Sequence, residues 1–129
     1  MNKILKKMTL LIAEDDLFNR LLVVSMLAKN KQIEVREAKD GEEALSILLE
    51  EDIDIVLLDI HMPKMNGLET LKEIRQIEAI AKIPIMVISS DETEKKQSLA
   101  LGANVFVPKP FNIKLLEQQV YDTLGEAQL

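Results

Sequence analysis

The segment Ile53-Asp54-Ile55-Val56-Leu57-Leu58-Asp59 is an almost unbroken apolar run that ends on an acid. A strand with one wetted face alternates apolar and polar residues. A run that is apolar at nearly every position is covered on both faces, as inner strands of a parallel sheet are when helices flank them. Pro84-Ile85-Met86-Val87-Ile88 has the same character. Outward from these two segments, apolar runs and amphipathic stretches alternate along the whole chain. The runs are Thr9–Ala13, Ile33–Glu37, Ile53–Leu58, Pro84–Ile88 and Asn104–Val107. The helix-like stretches are Leu17–Lys29, Glu42–Glu50, Gly67–Ala79, Glu92–Leu101 and Ile113–Leu124. Such β-α repetition predicts an α/β fold built on a five-stranded parallel sheet with five helices.

Two runs read as edges. Ile33-Glu34-Val35-Arg36-Glu37 alternates apolar and polar, and the last run meets Pro108, which cannot donate to a ladder. With strands 2 and 5 at the edges and right-handed crossovers, the order 2-1-3-4-5 follows, a flavodoxin-like arrangement. Helix punctuation agrees. Asp40 with Glu43 and Asn66 with Glu69 have the spacing of helix caps, and Gly102 stands where a left-handed residue closes the fourth helix. In the fifth, Ile113, Leu116, Val120 and Leu124 mark the buried face.

A chain of 129 residues with no linker or repeat predicts a single domain over 1–129, with its core at about 8–125. Twenty-two Asp+Glu against 16 Lys+Arg give a net charge of −6, which repels phosphate backbones and argues against nucleic-acid binding. No cysteine is present, so disulfides and thiolate metal sites are excluded. Met1–Lys7 begins like a signal peptide, but the apolar stretch Met8–Ala13 runs straight into Glu14-Asp15-Asp16. That is no signal core, and nothing approaches the roughly 20 apolar residues of a membrane span. The expectation is a soluble cytoplasmic domain.

In this architecture ligands bind beyond the carboxyl ends of the strands where the order reverses, between strands 1 and 3. Strand 1 ends in Glu14-Asp15-Asp16 and strand 3 in Asp59, while the loops after strands 4 and 5 carry Ser89 and Lys109. Clustered carboxylates repel by about 3 kcal/mol per pair at ~5 Å and an effective dielectric of ~20. A cation resolves such a cluster, and all-oxygen donors favour Mg²⁺ over zinc. Asp59 can then act as a carboxylate nucleophile toward phosphorus, with Mg²⁺ and Lys109 neutralising the transferred group.

Four segments carry a resemblance. Ile12-Ala13-Glu14-Asp15-Asp16, Asp59-Ile60-His61-Met62-Pro63-Lys64-Met65-Asn66-Gly67, Val87-Ile88-Ser89-Ser90 and Lys109-Pro110-Phe111 resemble, in order and spacing, the signature segments of two-component response-regulator receiver domains. The likeness covers about residues 8–125 and is to chemotaxis-type regulators. Leu17-Phe18-Asn19-Arg20-Leu21-Leu22 adds a hint of hybrid histidine kinase receivers. The resemblance implies that Glu14, Asp15, Asp59 and the backbone carbonyl of His61 hold Mg²⁺ or Mn²⁺, and that Asp59 is the phosphoacceptor. It implies that Ser89 and Lys109 contact the phosphoryl group, that Ser89 and Phe106 form a switch, and that His61 and Asp91 tune phosphoryl lifetime. The implied donor is a phosphohistidine on a histidine kinase or histidine phosphotransfer protein. The implied output is a changed surface on helix 4, strand 5 and helix 5, for a partner the sequence does not name.

Plainer readings stand beside these. Asp16 reads as a helix cap and Asp54 as merely a polar residue in strand 3. The His61 side chain reads as a solvent-facing neighbour of the site, and Ser90 as structural. Phe106 is open between switch and simple packing. Helix 1, apolar on more than one face, is open between thorough burial and a contact surface. Rival functions are a haloacid-dehalogenase-type phosphatase, a nucleotide- or flavin-binding module and a degenerate receiver scaffold. The first lacks an acid two residues after Asp59, where His61 stands; the second lacks a Gly-rich loop after strand 1. The complete set of acids, hydroxyl and lysine argues against the third.

Overall fold

The computed structural model describes residues 7–127; the Met1–Lys6 part of the N-terminal segment weighed above as a signal peptide lies outside them. Parallel strands β1 (Met8–Ala13), β2 (Ile33–Ala38), β3 (Ile55–Asp59), β4 (Ile85–Ser89) and β5 (Val105–Pro108) lie in the order β2-β1-β3-β4-β5. Between and after them come α1 (Leu17–Leu27), α2 (Gly41–Glu50), α3 (Gly67–Gln76), α4 (Lys95–Ala100) and α5 (Ile113–Ala127). The fold class and strand order expected from the sequence are those observed. No described helix is long and apolar enough to cross a membrane.

The inner strands β3 and β4 are buried at every position, whereas β2 is half-exposed along most of its length. Side-chain alternation divides the core in two. Leu11, Val56, Leu58, Ile85, Val87 and Phe106 face α2 and α3. Leu10, Ile12, Leu57, Met86, Ile88 and Val107 face α1 and α5, where Val23, Leu27, Leu116, Val120 and Leu124 meet them. At about 1.5–3 kcal/mol per fully buried aliphatic side chain, these two layers dominate the stability of the fold. They also hold the carboxyl ends of the strands in fixed relation.

The expected caps form. Asp40 Oδ1 accepts from Glu43 N at 2.8 Å, and Asn66 and Glu69 make a reciprocal capping box at 2.9 and 3.0 Å. Gly102 adopts φ +109° at the end of the fourth helical segment.

Three expectations need correction, and one question left open is decided. Strand β3 begins at Ile55, two residues later than its apolar run suggests. The reason is Asp54: its N–H donates to the Thr9 carbonyl at 2.8 Å, and its carboxylate accepts from Thr9 N at 2.7 Å. A side chain thus completes the ladder with β1, so Asp54 is more than a polar bystander. The fourth helical segment opens as a 3₁₀ turn, Glu92–Glu94, because Asp91 Oδ1 accepts from Thr93 N at 2.9 Å and tightens the entry. Helix α3 stops at Gln76 rather than Ala79, where the chain folds back beneath it. Arg75 secures that turn, donating to the carbonyls of Ala81 (3.0 Å), Ile83 (2.6 Å) and Gly102 (2.7 and 3.0 Å) and to Asn104 Oδ1 (3.0 Å). Burial lowers the pKa of this guanidinium, and the converging acceptors make its charge tolerable there. Lastly, α1 is not thoroughly buried: Arg20, Val23, Met26 and Leu27 turn inward, but Leu17, Leu21 and Phe18 (72% exposed) face solvent.

Candidate functional site

The strand order reverses between β1 and β3, and there the sheet delivers Glu14 and Asp59 side by side. Both are almost wholly buried, at 1% and 2% exposure, while Asp15 is exposed at the rim. Oxygens of Glu14, Asp15 and Asp59 lie within 4.8 Å of one another. Lys109, carried by the loop after β5, reaches back with Nζ 3.0 Å from Glu14 Oε1 and 3.2 Å from Asp59 Oδ2. The Lys109–Pro110 peptide is cis.

One ammonium serves two buried carboxylates, and the electrostatics show the shortfall. Burial, followed by the hydrogen bond and negative charge of Asp59, raises the Glu14 pKa to about 7 against the opposing pull of Lys109. Burial would lower the pKa of Lys109, but Glu14 and Asp59 together outweigh it and raise it. The cluster can therefore hold a cation: three all-oxygen side chains are already gathered, and at Glu14 burial together with Asp59 outweighs the single ammonium.

The acid loop rests on a residue that the sequence reading passed over. Arg20, buried on α1, donates from Nη1 to the Glu14 carbonyl at 2.8 Å and from Nε to Glu37 Oε1 at 3.0 Å. It braces the backbone between the two acids. A lone arginine inside an apolar helix was the available signal. Gly67 is a second support: its N–H donates to the Ile60 carbonyl at 2.7 Å, and a Cβ there would overlap the Asp59 carbonyl oxygen. Asp16 is a cap, as expected, accepting from Phe18 N at 2.9 Å.

Ser89, fully buried at the end of β4, has one hydroxyl proton and donates it to Glu94 Oε1, with Oγ 2.6 Å from that oxygen. Its oxygen accepts from Asp91 N at 3.0 Å. The His61 backbone N–H is 3.4 Å from Asp59 Oδ1, and the His61 ring, though 58% exposed, sets Nε2 2.9 Å from the same Glu94 oxygen. Asp91 is exposed, and its carboxyl is held below the usual range by hydrogen bonds from Thr93. Phe106 is packed into the core on the α2–α3 face, opposite Val87 in the sheet register. Ser90 is exposed and lines a shallow groove with Phe18, Leu22, Lys109 and Phe111. A larger cleft near Leu48, Asp54 and Ile80, about 500 Å³, lies at the amino ends of the strands, away from the acids and Lys109.

Residues 10–121 match the response regulator receiver domain family. The chain belongs to that family. Among relatives, this receiver is 34% identical over 116 residues to the chemotaxis protein CheY of Bacillus subtilis, covering 90% of the chain and 97% of that protein. It is 34% identical over 125 residues to the sensory/regulatory protein RpfC of Xanthomonas campestris, covering 94% of this chain but 16% of that one. The receiver domain of the yeast regulator Ssk1, solved in complex with the histidine phosphotransfer protein Ypd1, superposes with a TM-score of 0.88 at 27% identity, covering 98% of this chain and 95% of that one. The receiver is thus a regulatory domain of two-component phosphorelay signalling rather than an ordinary enzyme. The phosphatase and nucleotide-module readings fall with that membership.

Proposed function

We propose that residues 1–129 act as one receiver unit in which Asp59 accepts a phosphoryl group from a phosphohistidine donor. The observation that carries this reading is the convergence of Glu14, Asp15, Asp59 and Lys109 on one rim of the sheet. Mg²⁺, or Mn²⁺ in its place, fits the all-oxygen donor set of Glu14, Asp15 and Asp59, with the His61 carbonyl as a further ligand. When bound, the ion supplies positive charge against the phosphoryl oxygens.

The chain's own residues do the rest. An Asp59 carboxylate oxygen forms the bond to phosphorus as the donor's N–P bond breaks, and the imidazole leaves with a proton from solvent. Lys109 shifts its charge from two carboxylates to the phosphoryl group, and Ser89 donates its hydroxyl to a phosphoryl oxygen. Hydrolysis reverses the state: water adds to phosphorus, the Asp59–phosphorus bond breaks, and inorganic phosphate departs. Both steps are catalysed by the domain itself, with His61 and Asp91 at the flanks governing water access. Ser89 moving toward Asp59 leaves space that Phe106 senses, altering the surface of α4, β5 and α5 for an output partner. The exposed Leu17, Phe18 and Leu21, next to the groove beside Lys109, are suited to receive the donor, a histidine kinase or phosphotransfer protein.

Incubation with acetyl phosphate and Mg²⁺, followed by intact-mass measurement, tests the reading. One phosphate should add, and Asp59→Asn or a chelator should abolish it. An equal yield in Asp59→Asn overturns the assignment.

A further inference from the structure

Glu94 is an acid with no place in the metal cluster, yet it holds the one hydroxyl at the end of β4. Its Oε1 takes the proton of Ser89 Oγ at 2.6 Å, the length of a charge-assisted hydrogen bond. The competing acceptor, the Asp91 carbonyl, is 3.5 Å away, so the single hydroxyl proton belongs to Glu94. The backbone that carries this carboxylate is itself anchored. Glu94 N donates to the Asp91 carbonyl at 3.1 Å, and Ser98 Oγ donates to the Glu94 carbonyl at 2.7 Å. The side chain is only 18% exposed, which limits competition from water.

We infer that Glu94 is a positioning residue that keeps the Ser89 hydroxyl turned away from Asp59 in the resting protein, so that a phosphoryl group on Asp59 must displace Glu94 as the hydroxyl's acceptor. This rests on the reading of Asp59 as phosphoacceptor and Ser89 as its contact. A hydroxyl cannot donate twice, so the resting bond opposes the phosphorylated state by whatever it is worth. His61 makes the exchange feasible. With its proton on Nε2 it also donates to Glu94 Oε1, at 2.9 Å, and Glu94 keeps that partner when Ser89 leaves. One carboxylate oxygen thus ties the loop after β3 to the loop after β4, and phosphorylation withdraws one of its two donors. Glu94 sets how readily the domain switches, without touching the reacting atoms.

The test is titration with beryllofluoride and Mg²⁺, a mimic of the acyl phosphate, followed by amide NMR in wild type, Glu94→Ala, Glu94→Gln, Ser89→Ala and Ser89→Ala/Glu94→Ala. Removing Glu94 should tighten binding about tenfold, the size of one charge-assisted hydrogen bond. Glu94→Gln, which keeps an acceptor without its charge, should gain less. In the Ser89→Ala background the Glu94→Ala gain should vanish. Wild-type protein that takes up no beryllofluoride overturns the phosphoacceptor reading and this inference with it. A complex that forms in wild type with unchanged affinity in Glu94→Ala overturns the inference alone. So does a gain that persists undiminished without Ser89, since general charge repulsion would then be the cause.

Discussion

Replacing Lys109 with methionine keeps the length of the stem and removes the ammonium that bridges the Glu14 and Asp59 carboxylates. At 3.0 and 3.2 Å, each contact corresponds to about 5 kcal/mol of attraction at an effective dielectric of ~20. Desolvation of the three groups offsets most of that sum. Stripping one partner from a buried ionic cluster costs about 3–5 kcal/mol net. Here the cost should fall near the lower figure, about 3 kcal/mol, because Glu14 can keep its proton once Lys109 no longer opposes it.

The pH dependence has a definite sign. Glu14 titrates at about 7 in the folded chain and 4.5 in its ordinary state, so the folded protein binds more protons between those values. Its contribution to stability therefore declines as pH rises from 4.5 to about 7, and without Lys109 the decline continues above 7. Lys109, with its pKa raised, adds stability at all pH values below 10.5 and loses it above. The deficit of Lys109→Met should therefore be larger at pH 8 than at pH 5. Mg²⁺ at about 100 times its Kd should return about 2.7 kcal/mol. Urea denaturation followed by circular dichroism, with chelator or Mg²⁺ at both pH values, measures each figure. A deficit equal at both pH values and untouched by Mg²⁺ would refute the charge argument and leave packing of the lysine stem as the cause.

Four further outcomes follow from the same geometry. Asp15→Ala should weaken Mg²⁺ binding, whereas Lys109→Met should leave it intact or tighter; equal impairment by isothermal titration would contradict this division of roles. Arg20→Met should lower thermal stability by leaving the Glu14 carbonyl and Glu37 without their donor, and should weaken Mg²⁺ binding as well; a stability loss with unchanged Mg²⁺ affinity would show that Arg20 braces the fold and not the acid loop. Gly67→Ala forces a methyl against the Asp59 backbone and should cost about 1–3 kcal/mol while slowing acetyl phosphate uptake, so a variant of native stability and rate would argue that the close approach is dispensable. Asp91→Leu should lengthen the phosphoryl half-life, with Asp91→Asn separating loss of charge from loss of the cap on Thr93; unchanged half-lives in both remove Asp91 from the hydrolytic step.

Much of this site was legible because it depends on strand ends. Glu14, Asp59, Ser89 and Lys109 each close a strand or follow one closely, so strand order alone brings them to one rim. The helix caps at Asp40 and Asn66 were legible for a related reason, being local bonds between residues three apart. What escaped depends on distance in the chain. Asp54 pairs with Thr9 forty-five residues away, and Glu94 meets His61 across thirty-three. No periodicity marks such contacts. Arg20 was hidden differently, as one polar residue in a helix whose apolar residues point both inward and outward. The open question over that helix was decided by tertiary packing, which leaves Phe18 facing solvent.

The grip of Arg75 on the Gly102 carbonyl has a mechanical consequence for the segment that begins at Ser89. Helix α4 buries only Ser98, so little fastens it along its length. Its far end is fixed by a guanidinium that also clamps the turn after α3, while its near end hangs on the side-chain bonds of Glu94 and Asp91. Such a segment behaves as a lever with its fulcrum at Gly102. Six helical residues make an arm of about 9 Å, so a rotation of ~10° carries the near end through roughly 1.6 Å and the far end through almost nothing. Displacement is therefore greatest beside Ser89 and His61 and dies away toward the fulcrum.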